Sequence, residues 1–96
     1  MRKYEIMFIV RPTLDEAAAT KVAKEMEKVV KEQGAKSITN KPMGLKELAY
    51  EIKKHKSGYY FLFNFEAPSA HAVDEFDRLA LINEDIIRHL ITKVEE

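Results

Sequence analysis

Leu48-Ala49-Tyr50-Glu51-Ile52, Lys53-Lys54-His55-Lys56-Ser57-Gly58 and Tyr59-Tyr60-Phe61-Leu62-Phe63-Asn64-Phe65 form the stretch that decides the fold. Two apolar, β-prone runs flank a short basic linker that ends in glycine, which is the pattern of a β-hairpin. In the second run Phe61, Phe63 and Phe65 point to one face and Tyr60, Leu62 and Asn64 to the other. Most of the aromatic residues lie in this stretch, so it is expected at the centre of a sheet that the remaining segments extend or cover.

Working outward, Lys3 to Val10 alternates as a strand, with Tyr4, Ile6, Phe8 and Val10 on one face and Lys3, Glu5, Met7 and Ile9 on the other. Arg11-Pro12 ends it. Thr13-Leu14-Asp15-Glu16 has the form of a capping box, which places a helix from Thr13 to about Gln33. Ala18, Val22, Met26, Val29 and Val30 make its apolar stripe, and Gly34 suits the left-handed residue that closes a helix. A second strand starts near Ala35. It should be irregular at Pro42 and Gly44, and therefore at a sheet edge, before resuming from Leu45 to Ile52. Beyond Glu66, Ser69 can cap a helix to about Leu81 with Val73, Phe76, Leu79 and Ala80 inward. Asn83-Glu84-Asp85 is a turn, and Ile86 to Val94 a last strand whose two faces the pattern does not separate.

The order β-α-β-β-α-β predicts one α+β domain over residues 1–96. It is ferredoxin-like: a four-stranded antiparallel sheet with two helices on one face and strands one and three in the middle. The uncovered face would show Met7, Ile9, Tyr60 and Leu62 as an apolar patch suited to a partner protein.

The chemistry-bearing residues point away from catalysis. The chain has no cysteine, which excludes disulfides and thiolate sites. His55, His71 and His89 lack metal-ligand spacing, Asp74, Glu75 and Asp77 look like a solvated helix face, and Ser37, Ser57 and Ser69 lack the setting of a nucleophile. No glycine-rich phosphate loop occurs. No enzyme activity, cofactor or metal is expected, and neither a signal peptide nor a membrane span is read, so the expected location is the cytoplasm. Formal net charge is +0, which argues against strong autonomous binding to nucleic acid. The distribution is uneven: five lysines lie between Lys41 and Lys56 against Glu47 and Glu51, and six acids lie between Glu66 and Asp85 against Arg78. Strand three also fails the RNA-recognition-motif pattern. Ser57 stands in place of the leading base, Tyr60 in place of a small residue and Asn64 in place of the last aromatic.

Several segments together carry a family resemblance. Arg2-Lys3-Tyr4-Glu5 with the apolar run to Arg11-Pro12, Leu48-Ala49-Tyr50-Glu51-Ile52, Gly58-Tyr59, Glu75-Phe76-Asp77-Arg78-Leu79-Ala80 and Asp85-Ile86-Ile87-Arg88-His89 stand in order and at family spacing. So read, the chain resembles the family of the sixth protein of the bacterial small ribosomal subunit, over nearly its whole length. The resemblance implies a structural ribosomal protein, not an enzyme, that binds the central domain of small-subunit ribosomal RNA together with ribosomal protein eighteen of that subunit. An isolated chain would be monomeric, would have no membrane association and would act in the cytoplasm on the ribosome. Candidate contacts to phosphates or partner acids are Arg2, Lys46, Lys53, Lys54, Lys56, Arg88 and Lys93; candidate protein-interface residues are Met7, Ile9, Tyr60 and Leu62. Met43-Gly44-Leu45-Lys46-Glu47 departs from the family, which usually has tryptophan and glycine and then an arginine-rich pair; Lys46 lacks arginine's planar fork and Glu47 reverses the sign. Leu81 stands where a basic residue is common. The alternative class is a ferredoxin-like metabolite-sensing or acylphosphatase-like module, whose enzyme form needs a phosphate-cradling loop where Arg11-Pro12-Thr13 stands.

Overall fold

A computed structural model describes residues 2–94. The elements are β1 (Arg2–Val10), α1 (Glu16–Glu32), β2 (Lys36–Ile52), β3 (His55–Ala67), α2 (His71–Ile82) and β4 (Ile86–Val94). The strands form one antiparallel sheet in the order β2-β3-β1-β4, so the two most apolar strands are central, as their composition demands. The fold is the expected ferredoxin-like one.

Both helices bury an apolar stripe against one face of the sheet. The buried residues of α1 are Ala19, Val22, Ala23, Met26 and Val30, and those of α2 are Ala72, Val73, Phe76 and Ala80. Tyr4, Ile6, Phe8 and Val10 of β1 and Phe61, Phe63 and Phe65 of β3 meet them. Phe8 lies at the middle: its ring stacks on Phe61 at 5.3 Å, meets Phe63 edge-on at 5.0 Å and lies tilted against Phe76 at 5.5 Å. Burying each such side chain is worth roughly 1.5–3 kcal/mol, which is why this face carries the stability.

Three local expectations are corrected. The N-cap of α1 is Asp15, not Thr13: the Ala18 N–H donates to Asp15 Oδ1 at 2.7 Å. The Thr13 hydroxyl instead accepts from Arg11 Nη1 at 2.7 Å, while Arg11 Nε donates to Asp85 Oδ1 at 2.7 Å. The buried stripe of α1 takes in Ala19 and Ala23 and leaves Ala18 and Val29 half-buried at its margins, because Ala19, Val22, Ala23, Met26 and Val30 recur at three- and four-residue spacing on one face. The hairpin linker is also far shorter than Lys53 to Gly58. Ile52 pairs with His55, so Lys53 and Lys54 alone make the turn, at φ of 48° and 68°. Two consecutive positive φ values are the signature of a type I′ turn, which normally favours asparagine and glycine.

Asp15→Ala should lower stability by about 1 kcal/mol in a urea melt, whereas Thr13→Ala should cost clearly less; the reverse ranking would restore the Thr13 cap. Replacing Lys53-Lys54 by Asn-Gly should raise stability by about 1 kcal/mol, because it relieves the left-handed cost of two lysines. An unchanged or lowered urea midpoint would show the turn to be unstrained.

Candidate protein and RNA interface

β1 and β3 pair so that Met7 lies opposite Leu62 and Ile9 opposite Tyr60. On the other side of β1, Leu90 lies opposite Met7 and Arg88 opposite Ile9. These residues share the face that no helix covers, because their neighbours along each strand point into the helix-covered core. The side chains of Met7, Tyr60 and Leu62 are half-buried, and Leu90 is 55% exposed.

Ile9 does not conform to an open patch, as it is only 3% exposed. The cause is the hairpin. β2 has 17 residues and would span about 53 Å if straight, yet the longest dimension of the Cα trace is 37 Å. It therefore bends, helped by register shifts between Lys36 and Thr39 and between Pro42 and Gly44, where Ser37 and Gly44 adopt φ of 55° and 81°. The distal hairpin curls across the uncovered face until Tyr50 reaches Arg88 on the opposite edge strand. Arg88 Nη1 donates to the Tyr50 hydroxyl, and its guanidinium lies 5.9 Å from the ring centre. Gly58 makes the crossing possible: a Cβ there would stand 2.3 Å from Ile9 Cγ2 and 3.0 Å from the Val10 carbonyl oxygen. Its role is close approach rather than turn-making.

The candidate cations divide into groups. Lys53, Lys54 and Lys56 are exposed at or beside the hairpin tip. Lys46 and Arg88 flank the uncovered face, with Lys46 Nζ 6.0 Å from the centre of the Tyr60 ring. Arg2 and Lys93 lie at the far end of the sheet, where Arg2 pairs with Ala67 and Lys93 with Tyr4; the structure does not bring them to the hairpin. Sequence reasoning missed Tyr50 and Leu90 as members of this face. The alternation of Leu48, Tyr50 and Ile52 was the available signal for the first, and pairing with Met7 would have revealed the second.

Half of the acidic cluster is engaged within the chain. Asp85 pairs with Arg11, Asp77 Oδ1 lies 2.6 Å from His89 Nε2, and Glu75 binds Arg78. The Arg78 guanidinium holds the exposed Glu75 carboxyl below the usual carboxylate range, and Glu75 in turn raises Arg78. His55, His71 and His89 stand on β3, α2 and β4, and among the described residues no group of three histidines or carboxylates could hold a metal ion. The segment from Arg11 to Thr13 is tied down by its bonds to Asp85 and within itself, and it forms no phosphate cradle. Among the described residues no helix is long and apolar enough to cross a membrane.

The comparisons agree with this architecture. The crystal structure of the 30S ribosomal protein S6 from Thermotoga maritima superposes with a TM-score of 0.90 at 28% identity, covering 97% of this chain and 87% of that one. A proposed amidohydrolase/peptidase from Burkholderia cenocepacia matches at a TM-score of 0.39 and 15% identity, over 98% of this chain and 27% of that one, too distant to bear on fold or function. The sequence model of the family described as Ribosomal protein S6 matches residues 3–93, and this chain belongs to that family.

Proposed function

We propose that this small-subunit ribosomal protein binds the central domain of small-subunit ribosomal RNA jointly with ribosomal protein eighteen, as a structural component with no catalytic role, cofactor or metal. The observation that supports this most is the uncovered sheet face. Met7, Tyr60, Leu62 and Leu90 form an apolar strip there, flanked by Lys46 and Arg88, on a chain whose formal net charge is +0. An apolar strip of this kind suits a protein partner. A neutral chain releases few counterions on an RNA, so affinity must come from linkage to a second, more basic protein. The exposed lysines of the hairpin tip supply local phosphate contacts, which position the chain without reading sequence.

On this reading the isolated chain is a monomer, acts in the cytoplasm on the ribosome, and makes its RNA contacts through Lys46, Lys53, Lys54 and Lys56 more than through the remote Arg2 and Lys93, with Arg88 turned to the partner protein. Filter binding at physiological salt provides the test. The chain alone should bind a central-domain RNA fragment weakly, and addition of ribosomal protein eighteen should tighten binding at least about tenfold. Replacing Lys53 and Lys54 by glutamine should weaken the joint complex and flatten its salt dependence, while Lys93→Gln should change little. Tight binding by the chain alone, or equal losses from both variants, would overturn this division of labour.

A further inference from the structure

The curled hairpin does not seal against the sheet beneath it. Between them lies a cavity of about 210 Å³, walled by Met7, Ile9, Leu48, Ile52, Tyr60 and Leu90, with Tyr50 and Arg88 at its rim. Its walls are mostly apolar, and about 150 Å³ of apolar space already accommodates a benzene ring. Leu90 and Tyr50 are 55% and 62% exposed, so the cavity opens to solvent between the hairpin and β4.

The rim carries a second signal. The Arg88 guanidinium holds a neutral phenol and an aromatic face, and among the described residues it has no carboxylate partner. Arginine's fork matches a carboxylate better than a phenol. Arg11 and Arg78, by contrast, each hold a carboxylate.

We propose that this cavity is an anchor socket for a protein segment that presents one large apolar side chain beside a carboxylate. The apolar group enters between Ile9, Tyr60 and Leu90, and Arg88 releases Tyr50 to hold the carboxylate. The inference rests on the reading of the uncovered face as a partner surface, and it names the chemistry of what binds there. An RNA base is the competing occupant, since Tyr60 and Tyr50 could stack one, but the aliphatic side chains of Met7, Ile9, Leu48, Ile52 and Leu90 in the lining favour a protein side chain over a polar base edge.

The test uses the full chain and small probes, with neither RNA nor partner protein present. N-acetylphenylalanine, N-acetylphenylalaninamide, acetate, and uridine and adenosine monophosphates are titrated while the ¹H–¹⁵N and methyl spectra are followed. N-acetylphenylalanine should shift Met7, Ile9, Tyr50, Tyr60 and Leu90 saturably, and its uncharged amide should bind there about two- to fivefold more weakly. R88Q should bring the acid down to the level of the amide, and L90E should weaken both. The two substitutions fall on exposed side chains, and a thermal melt of each variant verifies that it is folded. Shifts that acetate alone reproduces, a stronger response to either nucleotide, equal binding of acid and amide, or no saturable shift at these residues would each overturn the proposal. Failure of joint RNA binding in the separate filter-binding assay, with the probe response intact, would instead count against the proposed function.

Discussion

Phe8 contacts three other rings, and those contacts fix which way every strand faces. Its ring touches Phe61 and Phe63 from β3 and Phe76 from α2, and it is fully buried. Each aromatic pair adds about 0.5–1.5 kcal/mol beyond the area it buries. A slip of one residue of β3 against β1 would turn Phe61 and Phe63 away from Phe8 and toward the uncovered face, so the register has no close competitor. The opposite face is then determined as well. Met7, Ile9, Tyr60 and Leu62 are displayed there because Phe8, Phe61 and Phe63 are needed on the other side.

A sheet with helices on one side leaves apolar strand residues exposed unless something else covers them. This chain covers part of them itself. β2 and β3 run to 17 and 13 residues, longer than the 9 residues of β1 that they accompany, and the excess length bends back over the uncovered face. Bulges at Ser37 and Gly44 increase the twist, Gly58 lets the backbone pass against Ile9, and Arg88 holds the far end through Tyr50. The cover is incomplete, because the walls on each side were not shaped by a shared core, and a cavity remains between them.

Much of this was legible in the sequence wherever a period was strong. The alternation of Tyr4 to Val10 and Phe61 to Phe65 placed the central strands and their inward faces, and Pro42 with Gly44 marked the irregular edge. The misreadings fall where a distant contact outranks a local motif. Thr13 lost the N-cap to Asp15 because Arg11, anchored by Asp85 more than seventy positions away, takes its hydroxyl. Gly58 attracted the hairpin turn on conformational grounds, yet its missing side chain is needed against Ile9, and two lysines make the turn. Ile9 read as exposed because nothing local shows that residues forty positions later fold over it. The cations of the site were legible only as a list, since their grouping depends on that bend.

The hairpin therefore joins two surfaces that the sequence keeps apart. Its stem walls the cavity on the sheet face, and its tip holds Lys53 and Lys54 in a conformation that lysine resists. A strained backbone persists only where the surrounding structure imposes it. Here the imposing elements are the pairing of Ile52 with His55 and the seating of the stem over Ile9. Anything that changes the seating of the stem also changes the direction of the tip lysines, because both lie on one continuous pair of strands. Occupation of the face and the aim of the cations are thus coupled through a single mechanical element, and coupling of that kind is reciprocal. In a chain with no excess charge, the placement of a few lysines rather than their number governs contact with a phosphate backbone, and the fold assigns that placement to the hairpin.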